Sequence, residues 1–166
     1  FIKNIYLIIE NQQILNLAIG VKKRDYNQIL NKNYLKNILF ETKDLFKKSY
    51  QDQKIMHMFI NNYLVKDKNF LLDNDLKIKD FSLVINFISI PNNLSNNFEK
   101  ILKRYQININ RYLHEGYVKK YFEGQEIEFS VMVCKILKGF NENEVQLVPK
   151  SEENTGFFEK FFQLFS

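Results

Sequence analysis

Six apolar residues near the C-terminal end carry the most specific chemical signal in the chain: Phe157, Phe158, Phe161, Phe162, Leu164 and Phe165. Their spacing gathers them on one face of a helix, with Glu159, Lys160 and Gln163 opposite and Thr155 placed to cap its start. A helix of about 10 residues is marginal alone in water. It therefore needs an apolar surface: a lipid interface, a groove on a partner, or the chain's own core. Concentrating five Phe in nine residues, behind a polar stretch, suits the headgroup boundary of a membrane best. Half-burying these side chains contributes about 5–6 kcal/mol gross. That resembles a single acyl chain, whose binding is reversible. Glu159 and Lys160 cancel, so anionic lipid adds little. Stable attachment by this face then needs several copies side by side.

Other chemistry is thin. The chain has two His, His57 and His114, and no Cys or His pair at metal-ligand spacing. His57 lies in an apolar run and is expected to be a satisfied structural residue and not a base. The single Cys134 has no basic and His-bearing neighbourhood, which points to a buried, inert thiol. Five scattered Gly form no phosphate-cradling loop. The acidic pairs Asp73 with Asp75 and Glu142 with Glu144 fall in polar stretches and are expected to be solvated. An enzyme is not expected, nor is any cofactor, metal ion or ATP hydrolysis.

Charge offers a second reading. The chain of 166 residues has a net charge of +5 and a pI near 9.1. Its basic groups are 21 Lys against 3 Arg (Arg24, Arg104 and Arg111), and 21 Asn and 19 Ile accompany them. Nucleic-acid readers lean on Arg for bidentate contacts. The Lys, Asn and Ile excess looks like an A+T-rich coding background, so no nucleic-acid partner is expected. Were there one, Lys22, Lys23, Arg24, Lys103, Arg104, Lys119 and Lys120 would meet it. A single Cys excludes a disulfide scaffold, and no apolar run approaches a membrane span. The sequence opens on Phe1, not Met, and so reads as a fragment.

The elements that must position these groups are short. Residues 1–120 carry 20 basic and 11 acidic groups, and residues 121–166 carry 4 and 8, which marks a break near residue 120. Residues 2–9 and 14–21 read as a strand pair around the polar turn Glu10 to Gln13. Tyr26, Ile29, Leu30, Leu35, Ile38, Leu39, Leu45 and Phe46 predict an amphipathic helix over about 25–48. An extended segment covers 55–65. The charged stretch Lys66–Asp80 reads as a loop with a short strand at its start. Phe81–Ile90 is apolar almost throughout and predicts a central strand.

A short helix over Leu94–Tyr105 follows, capped by Asn96 with Glu99 and buried through Leu94, Phe98, Ile101, Leu102 and Tyr105. Ile107, Ile109 and Tyr112 suit a last strand. Residues 127–138 suit a helix or an edge strand equally. The polar residues 141–156 read as an acidic tether. The whole predicts an α+β fold, a mostly antiparallel sheet with two helices on it, plus the tethered C-terminal amphipathic helix.

Two stretches resemble a known family. His57 to Asp67, His-Met-Phe-Ile-Asn-Asn-Tyr-Leu-Val-Lys-Asp, resembles a strand of the bacterial cell-division protein FtsA family whose pattern runs Ile-Leu-His-Val-Ile-Pro, then aromatic, aliphatic and Asp-Gly. Gly156 to Phe162, Gly-Phe-Phe-Glu-Lys-Phe-Phe, looks like that family's membrane-targeting helix. The apolar strand Phe81–Ile90 and the Asn-Phe-Glu helix lie between them in the family's order.

The resemblance covers residues 1–118, similar to the SHS2-like subdomain called 1C, and 141–166; residues 119–140 have no assigned role. It departs at Ile60, where the family has Pro, and at Lys68, where it has Gly. The actin-like ATP-binding subdomains have no counterpart after residue 118, so neither ATP binding nor docking to the tubulin-like ring protein FtsZ is implied. What it implies is a non-enzymatic divisome adaptor on the cytoplasmic face of the cell membrane. Such a protein self-associates or recruits cell-division proteins through residues 1–118 and holds the inner-membrane lipid surface through 157–166. Pilus-assembly adaptors with an SHS2 module are the neighbouring alternative, and a Lys-rich nucleic-acid module is the distant one.

Overall fold

A computed structural model describes residues 2–24, 28–29, 32–70 and 76–145. The fold is α+β, with six strands and four helices among the described residues. The chain divides into two compact units whose segments interleave.

The first unit contains β1 (Asn4–Ile9), α2 (Asn92–Lys103), β6 (Asn108–His114), α3 (Glu115–Tyr121) and α4 (Phe129–Leu137). It also holds Asp52 and residues 53–58 and 87–91, the latter two belonging to β4 (Gln53–Phe70) and β5 (Leu76–Pro91). β1 pairs in parallel with β6, Leu7 opposite Tyr112 and Ile9 opposite His114, with a register shift between Ile5 and Tyr6. Their shared core is Ile9, Met56, Ile90 and Tyr112, with Leu7, Ile14, Leu94, Phe98 and Ile109 packed against it.

The second unit contains β2 (Leu15–Lys23, from Ala18 on), β3 (Gln28–Ile29), α1 (Lys32–Ser49) and the remaining lengths of β4 and β5. β5 is the central strand, flanked in the order β2-β5-β3 and paired as well with β4. β3 runs antiparallel to β5, Gln28 opposite Ile78. α1 buries Leu35, Ile38, Leu39, Thr42 and Phe46, a stripe at helical spacing. The Thr42 hydroxyl turns inward because it donates to the Ile38 carbonyl at 2.7 Å. Tyr34 meets Phe81 edge-on at 6.1 Å, which seats the helix on β5. Lys47 and Lys48 in the last turn oppose the helix dipole favourably.

Several expectations are corrected. β1 and β2 are both strands, but they do not pair with each other. β1 takes β6 as its parallel partner and β2 takes β5. Asn11 makes a local turn, its Oδ1 accepting from the Gln13 N–H at 2.8 Å. The helix predicted from about 25 begins at Lys32, and Ile29 belongs to a strand. Leu45 points outward at 53 % exposure.

The predicted loop over 66–80 is mostly strand, since β4 reaches Phe70 and β5 starts at Leu76. α2 is capped by Pro91 with no side-chain bond, so Asn96 and Glu99 form no capping box. Ile101 and Tyr105 leave the predicted stripe, at 53 % and 70 % exposure. Gln106 adopts φ 59° and lets the Ile107 N–H bond back to the Leu102 carbonyl, which turns the chain into β6. Of the two alternatives for residues 127–138 the helix is the one found, as α4, and α3 lies where the sequence pattern points to no element.

Candidate functional site

Two clusters of hydrogen-bonded ionisable groups stand out in the described part of the first unit. The first lies beside α2. Lys54 Nζ donates to Glu99 Oε1 at 2.6 Å and sits 4.9 Å over the Tyr112 ring. The Tyr112 hydroxyl lies 3.1 Å from both Glu99 Oε1 and the Ser95 carbonyl, sharing its one hydrogen between them. The Lys54 bond holds the Glu99 carboxyl below its usual range against the opposing effect of burial, and Tyr112 adds to the lowering. Burial pushes the Tyr112 phenol up, and its bond to Glu99 adds to that.

Stability should follow both signs. The Glu99 contribution is present above the ordinary carboxylate value and is lost as pH falls through the lowered one. That of Tyr112 is present below the ordinary phenol value of about 10 and is lost as pH rises beyond it. Urea midpoints measured against pH should therefore fall at both ends, and Lys54→Met should flatten the acid limb. Equal acid slopes in the two proteins would contradict this assignment.

The second cluster surrounds the junction of β6 and α3. His57 is fully buried, and its Nε2 accepts from the His114 N–H at 3.0 Å. The neutral ring therefore carries its proton on Nδ1. Arg111 Nη2, at 3.4 Å from Nδ1, makes a close approach of two donors and not a hydrogen bond between them. The His57 ring also lies against Tyr117, centroids 4.2 Å apart.

His114 caps α3, its Nδ1 accepting from the Tyr117 N–H at 3.2 Å. Its Nε2 then holds the proton and faces Glu10 Oε1 at 3.3 Å. The other Glu10 oxygen accepts from the Gly116 N–H at 2.9 Å. Gly116 is tight for a side chain, because a Cβ there would lie 3.1 Å from both Glu10 Oε2 and His114 Cε1 and those side chains would have to give by a few tenths of an ångström. Asn141 Nδ2 donates to the Tyr117 hydroxyl at 2.6 Å. Both ring nitrogens of His114 are thus engaged within the protein. The cluster acts as a clasp that fixes β1, β6 and α3, and its His114 cap falls outside the Ser, Thr, Asp and Asn caps a sequence reveals.

The residues singled out from sequence distribute as follows. Phe157, Phe158, Phe161, Phe162, Leu164 and Phe165 lie outside the described residues, as do Asp73, Asp75 and positions 146–156 of the expected tether. Two of its first residues are not solvated: Asn141 and Glu144 are buried, while Asn143 is exposed. For Glu144 the cause is strand pairing, since it bridges to Phe59 and the Ile60 N–H donates to the Asn143 carbonyl at 2.9 Å. A Pro, which the FtsA-like pattern has at Ile60, lacks that N–H. Cys134 is exposed on α4 and not buried, because Val133 and Ile136 take the inward positions of that helix.

Of the basic residues, Lys22, Lys23 and Arg24 belong to one unit and Lys103, Arg104, Lys119 and Lys120 to the other. Lys119 is engaged with Glu115 at 2.5 Å. No described helix is long and apolar enough to cross a membrane. No family model and no curated protein matches the chain.

Proposed function

We propose that this protein is a non-enzymatic, membrane-tethered adaptor of the bacterial cell-division machinery, FtsA-like over residues 1–118 and 141–166. The order of elements carries the reading. The His57–Asp67 stretch that resembles the family lies within β4, and the strand β5 and helix α2 that the resemblance expects come after it. His57 is the buried residue on which the β6 end of the unit is fastened, so the motif's His has a structural reason to be there.

In this reading the α+β part makes the protein contacts, by self-association or by recruiting division partners. The Phe157–Phe165 face rests on the lipid surface at the cytoplasmic side. The weak, reversible hold of one such face makes attachment depend on local copy number. Exposed apolar side chains suited to protein contact occur on α2, at Ile101, and just beyond it at Tyr105.

A fluorescent fusion in the cells that make the protein tests the assignment. The expected result is a membrane band at the division site that forms before constriction. Accumulation on the nucleoid, or an even cytoplasmic signal in dividing cells, would overturn it.

A further inference from the structure

We infer that His114 is a protonation-sensitive latch: its neutral ring caps α3, and uptake of a second proton releases the Tyr117 N–H from that cap. The argument rests on which nitrogen does what. Nδ1 must stay unprotonated to accept the Tyr117 N–H at 3.2 Å, while Nε2–H faces Glu10 at 3.3 Å. In the imidazolium both nitrogens are donors. Nδ1–H then points at the Tyr117 N–H, two donors in opposition, at the positive end of a helix.

The charged groups around the ring decide the balance. Glu10, just after β1, faces Nε2–H with a side chain that is 55 % exposed, while that of His114 is 11 % exposed. From β4, His57 presents only its Nε2 acceptor to the His114 backbone, with Arg111 of β6 behind it. On α3, Glu115 is engaged with Lys119 at 2.5 Å, and the Tyr117 hydroxyl accepts from Asn141. None of these supplies a new acceptor for Nδ1–H in the observed arrangement.

The consequence reaches beyond the cap. Tyr117 is fastened at its backbone by His114, at its ring by His57 and at its hydroxyl by Asn141. Releasing the first of these fastenings leaves the ring and hydroxyl contacts to carry Tyr117 and the bond it accepts from Asn141.

Nuclear magnetic resonance on the full chain, labelled with nitrogen-15, tests this between pH ~8 and ~5, the range in which imidazoles titrate. The His114 ring should show the Nε2–H form when neutral. As it titrates, exchange of the Tyr117 amide corrected for its intrinsic pH dependence should rise about tenfold, while Leu113 in β6 stays protected. His114→Asn places an oxygen where Nδ1 sits, so its Tyr117 amide should stay protected at both pH values. An Nδ1–H neutral ring, unchanged Tyr117 protection through the titration, or the same pH response in His114→Asn would each overturn the latch.

Discussion

Replacing His57 with Leu should destabilise the protein by about 1–3 kcal/mol, the cost of leaving one buried backbone donor without a partner. The His114 N–H points at His57 Nε2 at 3.0 Å, and both residues are buried. Leu fills similar space but accepts nothing, so the N–H loses water and protein alike. The change also removes the ring contact with Tyr117, 4.2 Å between centroids, and with it one of the three fastenings of α3. In a chain of this size the melting midpoint should drop by roughly 3–10 °C.

His57→Gln separates the causes. Its side-chain oxygen reaches toward the same N–H, so it should recover at least half of the loss although it has no ring. Thermal melts of the three proteins decide the matter. A His57→Leu variant as stable as the parent would show that the clasp contributes no net stability.

How far the sequence foretells this arrangement depends on the range of the interaction. Local patterns hold up well. The apolar run Phe81–Ile90 is the heart of the central strand, and the stripe Leu35, Ile38, Leu39 and Phe46 is the buried face of α1. Charge content misleads where periodicity is the better guide. Leu76-Lys77-Ile78-Lys79 alternates with strand period, and its lysines hide that.

Pairings across long sequence separations leave no local trace. β1 finds β6 about a hundred residues later, while the segment next to it, β2, joins the other sheet. Glu99 has the spacing of a capping box, but Lys54 lies 45 residues away and takes it. The clasp is the same case, since Glu10 and Gly116 are 106 residues apart and only the fold brings them together. Of the expected lipid-facing residues, the sequence pattern alone carries the case.

That case yields the second large effect. Changing Phe158 and Phe162 to Glu places two carboxylates in the middle of the apolar face. Burying an unpaired charge costs far more than the few kcal/mol the face gains from lipid. Vesicle binding should be lost outright and not merely weakened, while the melting midpoint of the α+β part stays the same. The binding that is lost should be insensitive to salt, because the face carries no net positive charge.

The most direct measurement is co-sedimentation of the full chain with phosphatidylcholine and phosphatidylglycerol vesicles, beside the Phe158→Glu, Phe162→Glu variant, at low and high salt. A membrane-tethered adaptor pellets with the vesicles at both salt concentrations, more completely as protein concentration rises, and the variant stays in solution. Pelleting that high salt removes from both proteins alike would contradict the tether and point to the basic surface, and no pelleting at any concentration would contradict it outright.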